Sequence, residues 1–145
     1  MACRLIMTLL TESQEGECGV DWKYELDVKV FNEGLKGEGM ISVPKHTLNV
    51  GETREPHGSP DPVTIYSGEC LTELLIRLNL TATEVDLFKN DVGKASMEFK
   101  MECPGPGINS ITREIDIAAG VRESPGILNK SSVFTAGLRF DLVCD

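Results

Sequence analysis

The chain has 145 residues, the length of one ordinary domain, and a fold of that size buries roughly 68–70% of the surface its unfolded chain exposes. It can therefore stand without metal or disulfide staples. Fourteen Lys and Arg against 23 Asp and Glu give a net charge of −9, which opposes any binding mode that works by neutralising phosphates. Nucleic acid is excluded as a general partner, and so is polybasic attachment to anionic lipid.

The first residues, Met1 to Glu12, carry a single positive charge from Arg4 and a short apolar stretch. A signal peptide wants an apolar region of roughly 7–15 residues, and a spanning helix about 20. The expected setting is cytoplasmic, without a membrane span. Within this stretch Leu5, Met7 and Leu9 share one face of a strand.

The clearest pattern follows at 20–31. Val20, Trp22, Tyr24, Leu26, Val28 and Val30 alternate with Asp21, Lys23, Glu25, Asp27 and Lys29. A period of two places the apolar set on a core and the charges in water, so Glu25, Asp27 and Lys29 read as a solvated face. Gly34, Gly37 and Gly39 read as turn residues, and Ile41 with Val43 as a short strand. Residues 44–62 hold four prolines and both histidines, His46 and His57, and are expected to form a long irregular loop. Val63 and Ile65 then mark another short strand.

Residues 71–80 fit a helix through Leu71, Leu74, Leu75 and Leu78, and a strand through Leu74, Ile76, Leu78 and Leu80. The strand is preferred because its alternation continues into the β-branched Thr81-Ala82-Thr83. Thr83 and Asp86 stand at capping-box spacing, which allows one short helical turn over 83–89. Further alternating runs occupy 95–103, 111–117 and 136–144, separated by Pro104-Gly105-Pro106-Gly107 and Ser124-Pro125-Gly126. Ile127 and Leu128 follow as an apolar pair. About seven to nine short strands with such turns and no intervening helices predict an all-β fold, an antiparallel β-sandwich spanning 1–145 as a single domain.

The five cysteines, Cys3, Cys18, Cys70, Cys103 and Cys144, are widely and irregularly spaced. No Cys-x-x-Cys pair occurs, so no local zinc or redox motif is present. Reduced thiols packed as small hydrophobes are the expected state, with two disulfides and one free thiol as the rival.

The segment with a chemical accent is Thr83 to Lys94. It gathers Glu84, Asp86, Asn90 and Asp91 just past an apolar strand, closed by Gly93. Hard cations such as calcium take six to eight oxygens, often from carboxylates and carbonyls on loops of this kind. The spacing is not that of an EF-hand, and the plain alternative is an acidic hairpin. The layout resembles the calcium-binding loops of C2-like sandwich domains but lacks their Ser-Asp-Pro-Tyr continuation, replaced here by Lys94-Ala95-Ser96-Met97-Glu98-Phe99. No family is assigned on it.

The two histidines are expected to be solvated. With Cys70 or Asp61 they make a metal site or catalytic triad only on paper. The sequence therefore reads as a non-catalytic binding or interaction module, with calcium as a candidate ligand held by Glu84, Asp86, Asn90 and Asp91. Its partner is an unnamed protein or small ligand. The alternatives are a small metal-dependent or hydrolytic enzyme using the 44–62 loop, and a structural subunit of a homo-oligomer.

Overall fold

A computed structural model describes residues 1–123 and 130–145. Ser124-Pro125-Gly126 and the pair Ile127 and Leu128 lie outside the described residues. Among the described residues nine strands follow one another: β1 (Ala2–Gly16), β2 (Asp21–Phe31), β3 (Leu35–Thr47), β4 (Thr53–Arg54), β5 (Val63–Glu69), β6 (Glu73–Glu84), β7 (Asp91–Glu102), β8 (Ser110–Arg122) and β9 (Ser131–Cys144). All pairings are antiparallel. One sheet runs β4-β1-β9-β8, with β5 on the same edge of β1 as β4, and the other runs β3-β2-β6-β7. The two sheets pack face to face as an all-β sandwich.

The period-two runs explain the core. Trp22, Tyr24, Leu26, Val28 and Val30 of β2 lie on the same inward face as Leu74, Ile76, Leu78, Leu80 and Ala82 of the neighbouring β6, and all are buried. From the opposite sheet come Leu5, Met7 and Leu9 of β1 and Phe134, Ala136, Leu138, Phe140 and Leu142 of β9. Phe134 sits with its ring centroid 4.6 Å from Tyr24 and 5.5 Å from Trp22. Each fully buried aliphatic or aromatic side chain of this kind contributes about 1.5–3 kcal/mol.

Several local expectations are revised. The strand preferred over 71–80 is borne out in β6, which starts at Glu73, while other readings change. No helical turn forms over 83–89: Thr83 and Glu84 complete β6, because register pairing with Val92 and Asp91 continues to the strand end. Val20 precedes β2 and is exposed. Gly37 and Gly39 lie within β3 rather than in a turn, where their missing side chains let the strand approach Ile65. The 44–62 stretch is partly ordered as strand: Pro44 to Thr47 finish β3, and Thr53–Arg54 form β4. Pro44 is tolerated because β3 is an edge strand with a register shift opposite Trp22 and Tyr24. That bulge turns His46 inward.

A second bulge matters more. Between Leu9 and Thr11 the register of β1 on β9 shifts, so the inward face passes from Leu5, Met7 and Leu9 to Glu12 and Gln14. Two hydrophilic side chains thereby enter one end of the sandwich.

The cysteines adopt the rival arrangement. Cys3 bonds Cys144 and Cys70 bonds Cys103, with Cys18 unbridged. Sequence separations of 141 and 33 residues hid both pairs, since only the sandwich brings the strand ends together.

Gly93 fixes the distance between the sheets beside the acidic segment. A Cβ there would collide with the Gly120 carbonyl and lie 2.6 Å from Val121 Cγ2. Gly93→Ala is therefore expected to destabilise the fold by about 1–3 kcal/mol, read as a lower urea midpoint at unchanged m-value.

Candidate functional site: the carboxylate end of the sandwich

The inward face of β6 ends in a carboxylate. Leu74, Ile76, Leu78, Leu80 and Ala82 are succeeded by Glu84, which the same alternation turns into the sandwich, where it is 4% exposed. Asp91, its register partner at the start of β7, is equally buried. Asp86 stands in the connecting loop and is exposed. Carboxylate oxygens of Glu84, Asp86 and Asp91 lie within 4.8 Å of one another.

The loop is braced from inside. The Asp86 N–H donates to Asn90 Oδ1 (3.2 Å), the Leu87 N–H donates to Asp86 Oδ1 (3.1 Å), and the Val85 N–H donates to the Asp21 carbonyl (2.7 Å). Three of the four residues picked from the sequence thus converge, while Asn90 serves the loop through its side-chain oxygen.

Glu84 Oε2 is buried and has no hydrogen-bond partner among the described residues. Burial, followed by the neighbouring charges of Asp86, Asp91, Asp21 and Glu123, pushes its carboxyl up to about 7. Space for it comes from Gly19 in the β1–β2 loop. That residue has a φ of +142°, and a Cβ there would collide with Glu84 Oε1. The Gly19 carbonyl accepts from Trp22 Nε1 (3.1 Å) and Gln14 Nε2 (2.9 Å), which pins this loop against the carboxylate. Cys18, alongside, donates its backbone N–H to Ser132 Oγ (3.0 Å). Its thiol is pushed above the ordinary range, chiefly by burial and further by the charges of Asp91, Glu84 and Glu123.

A second buried carboxylate lies at the same end and behaves differently. Glu12, fully buried, meets the Tyr24 hydroxyl (2.8 Å) and the His57 N–H (3.0 Å) at Oε1, and His46 Nε2 (2.6 Å) and Arg54 Nε (3.3 Å) at Oε2. His46 Nδ1 donates to the Pro44 carbonyl (2.7 Å), and the His46 and His57 rings stack at 4.6 Å. Burial and the Glu12 charge hold the Tyr24 hydroxyl protonated far above its ordinary range.

His46 is thus a buried brace rather than a solvated loop residue, because the β3 bulge aims it at Glu12; His57 remains exposed. Both ring nitrogens of His46 are engaged, and Cys70 is tied to Cys103. The paper triad of Cys70, His57 and Asp61 therefore has no free thiol. Glu12 and Gln14 escaped sequence reading altogether, since the one signal for them was the break in alternation after Leu9.

Compared with known proteins, the chain matches no protein-family model and no curated protein sequence.

The cluster presents oxygen donors of one sign, the ligand type that a hard cation takes. Three carboxylates converge there, one with an oxygen that has no partner among the described residues.

Two outcomes follow from the contrast. Glu12→Ala strands buried donors and is expected to cost about 3–5 kcal/mol, measured by urea unfolding. Glu84 carries the opposite sign: its folded value of about 7 exceeds the ordinary 4.5. Its contribution to the cation-free fold is full below the ordinary value and is lost as pH rises through about 7. Urea midpoints of chelator-treated protein should fall over that window, and Glu84→Gln should flatten the profile, gaining about 1–2 kcal/mol at the alkaline end.

Proposed function

We propose that the protein is a non-catalytic binding module of β-sandwich type whose loop end takes a divalent cation of the calcium class. The observation that carries this reading is Glu84 Oε2, buried without a partner among the described residues and set against Asp86 and Asp91. An isolated buried carboxylate is costly, and a cation supplies the missing charge and coordination together. Asp86 and Asp91 sit at the two ends of one short loop, so an ion shared between them would stiffen that loop.

The tip of that loop supports an interaction role. Leu87 and Phe88 are 92% and 98% exposed, the most exposed large apolar side chains among the described residues. Exposed apolar groups beside a ligand site mark surfaces that meet a partner. In this reading the cation orders the loop, and Leu87 and Phe88 form part of the contact surface.

Calorimetric titration of chelator-treated protein with calcium at mildly alkaline pH tests the proposal. Saturable heat and a rise in melting temperature are expected. Glu84→Gln and Asp91→Asn should weaken binding by about tenfold or more, while the double change Leu87→Ser, Phe88→Ser should leave it intact. Absence of both heat and thermal shift at millimolar calcium in the unmodified protein would overturn the reading.

A further inference from the structure

At the end of the sandwich opposite the carboxylates, four cysteines from four separate positions meet. Cys3 near the start of β1 and Cys144 at the end of β9 are register partners. Cys70 lies between β5 and β6, and Cys103 directly follows β7. In the bridged state the two disulfides touch: Cys70 Sγ is 3.6 Å from Cys144 Sγ. Sulfurs of Cys3, Cys70 and Cys103 also lie within 4.8 Å of one another. Three of the sulfurs thus form one cluster, and the fourth, Cys144, joins it through its bond to Cys3 and its contact with Cys70.

The backbone holds them there independently of the bridges. The Cys70 N–H donates to the Met1 carbonyl (2.9 Å), the Cys144 N–H to the Asn109 carbonyl (2.7 Å), and the Cys103 N–H to the Thr72 carbonyl (3.4 Å). The Asp145 N–H donates to the Ala2 carbonyl (3.0 Å), closing β1 onto β9 beyond the cysteine pair. None of these hydrogen bonds involves a sulfur atom, so reduction of the bridges does not itself break them. Four thiolates at about 2.3 Å from a tetrahedral zinc ion have sulfurs about 3.8 Å apart, the spacing at which the two bridges already meet. Cys3 and Cys144 are buried, whereas Cys70 and Cys103 are half-buried and leave a side open for metal entry.

We propose that in the reduced chain Cys3, Cys70, Cys103 and Cys144 form a tetrathiolate site for zinc. The bridged chain and the zinc-loaded chain are then alternative closures of the same end of the sandwich. A dithiol reductant converts each disulfide into two thiols and becomes a disulfide itself, supplying two electrons and two protons per bridge. Zinc then binds four thiolates and releases four protons to solvent. A disulfide oxidant reverses the exchange: two equivalents accept the four electrons and take up four protons to become thiols, both bridges reform and the zinc ion is expelled. The site is made of soft sulfur ligands, so it is chemically distinct from the oxygen cluster around Glu84.

The test reduces the full chain with dithiothreitol, removes the reductant anaerobically, and adds zinc or cobalt. One zinc per chain is expected to survive gel filtration, measured by elemental analysis. Cobalt should give thiolate charge-transfer absorption and the intense visible bands of tetrahedral coordination. The oxidised chain should hold neither metal. Cys18→Ser and Glu84→Gln should retain the metal, whereas Cys70→Ser and Cys103→Ser should lose it on the column. If the reduced metal-free chain unfolds, zinc should restore its β-sheet circular dichroism. A reduced chain whose five thiols all react with a thiol reagent yet holds no zinc, folded or not, overturns the proposal. Zinc held equally by Cys103→Ser overturns it too.

Discussion

A carboxylate without any exposure to solvent, Glu12, is the constraint on which one end of this sandwich depends. Four groups reach it, from β2 (Tyr24), β3 (His46), β4 (Arg54) and the segment beyond (His57). Burying an unpaired carboxylate costs several kcal/mol, and burying one with all its lone pairs engaged does not. The network therefore acts as a clamp. It fixes the proline-rich segment, anchors the two-residue β4, and ties the β2–β3 edge of one sheet to β1 of the other. Each of these elements has too little apolar surface to dock by itself.

The same end contains a carboxylate that is buried and not satisfied. Glu12 and Glu84 both occupy inward positions where an apolar residue would fit the local alternation. Glu12 is surrounded by donors, and Glu84 by Asp86, Asp91, Asp21 and Glu123. Charges of one sign crowded around an oxygen with no partner among the described residues oppose its ionisation, since like charges raise its cost. Every oxygen of Glu12 has partners in the fold, whereas Glu84 Oε2 has none among the described residues.

Between the ends the molecule is an ordinary close-packed sandwich, and the ends divide two chemistries. Strand ends are where a sandwich has no opposing sheet to cover its core, so groups other than apolar side chains must close it. Buried carboxylates and charged braces do so at one end, and the two disulfides at the other. The long strands, 12 to 15 residues in β1, β6, β7 and β9, keep the two ends apart.

The amino-acid sequence by itself determined the fold class, because alternation in 20–31, 95–103 and 136–144 is a local property of the strand backbone and survives without tertiary context. It also picked out the carboxylate cluster, since Glu84, Asp86 and Asp91 lie within eight consecutive residues and one hairpin brings them together. Tertiary structure decided what no local pattern encodes. Bulges after Leu9 and opposite Trp22 reversed the facing of Glu12, Gln14 and His46, and a one-residue slip cannot be read from residues that are polar on both sides of it. Burial of Glu84 required Gly19, some 65 positions away in the chain. The four clustered cysteines are separated by up to 141 residues, and contacts at that range exist only once two sheets have paired and stacked.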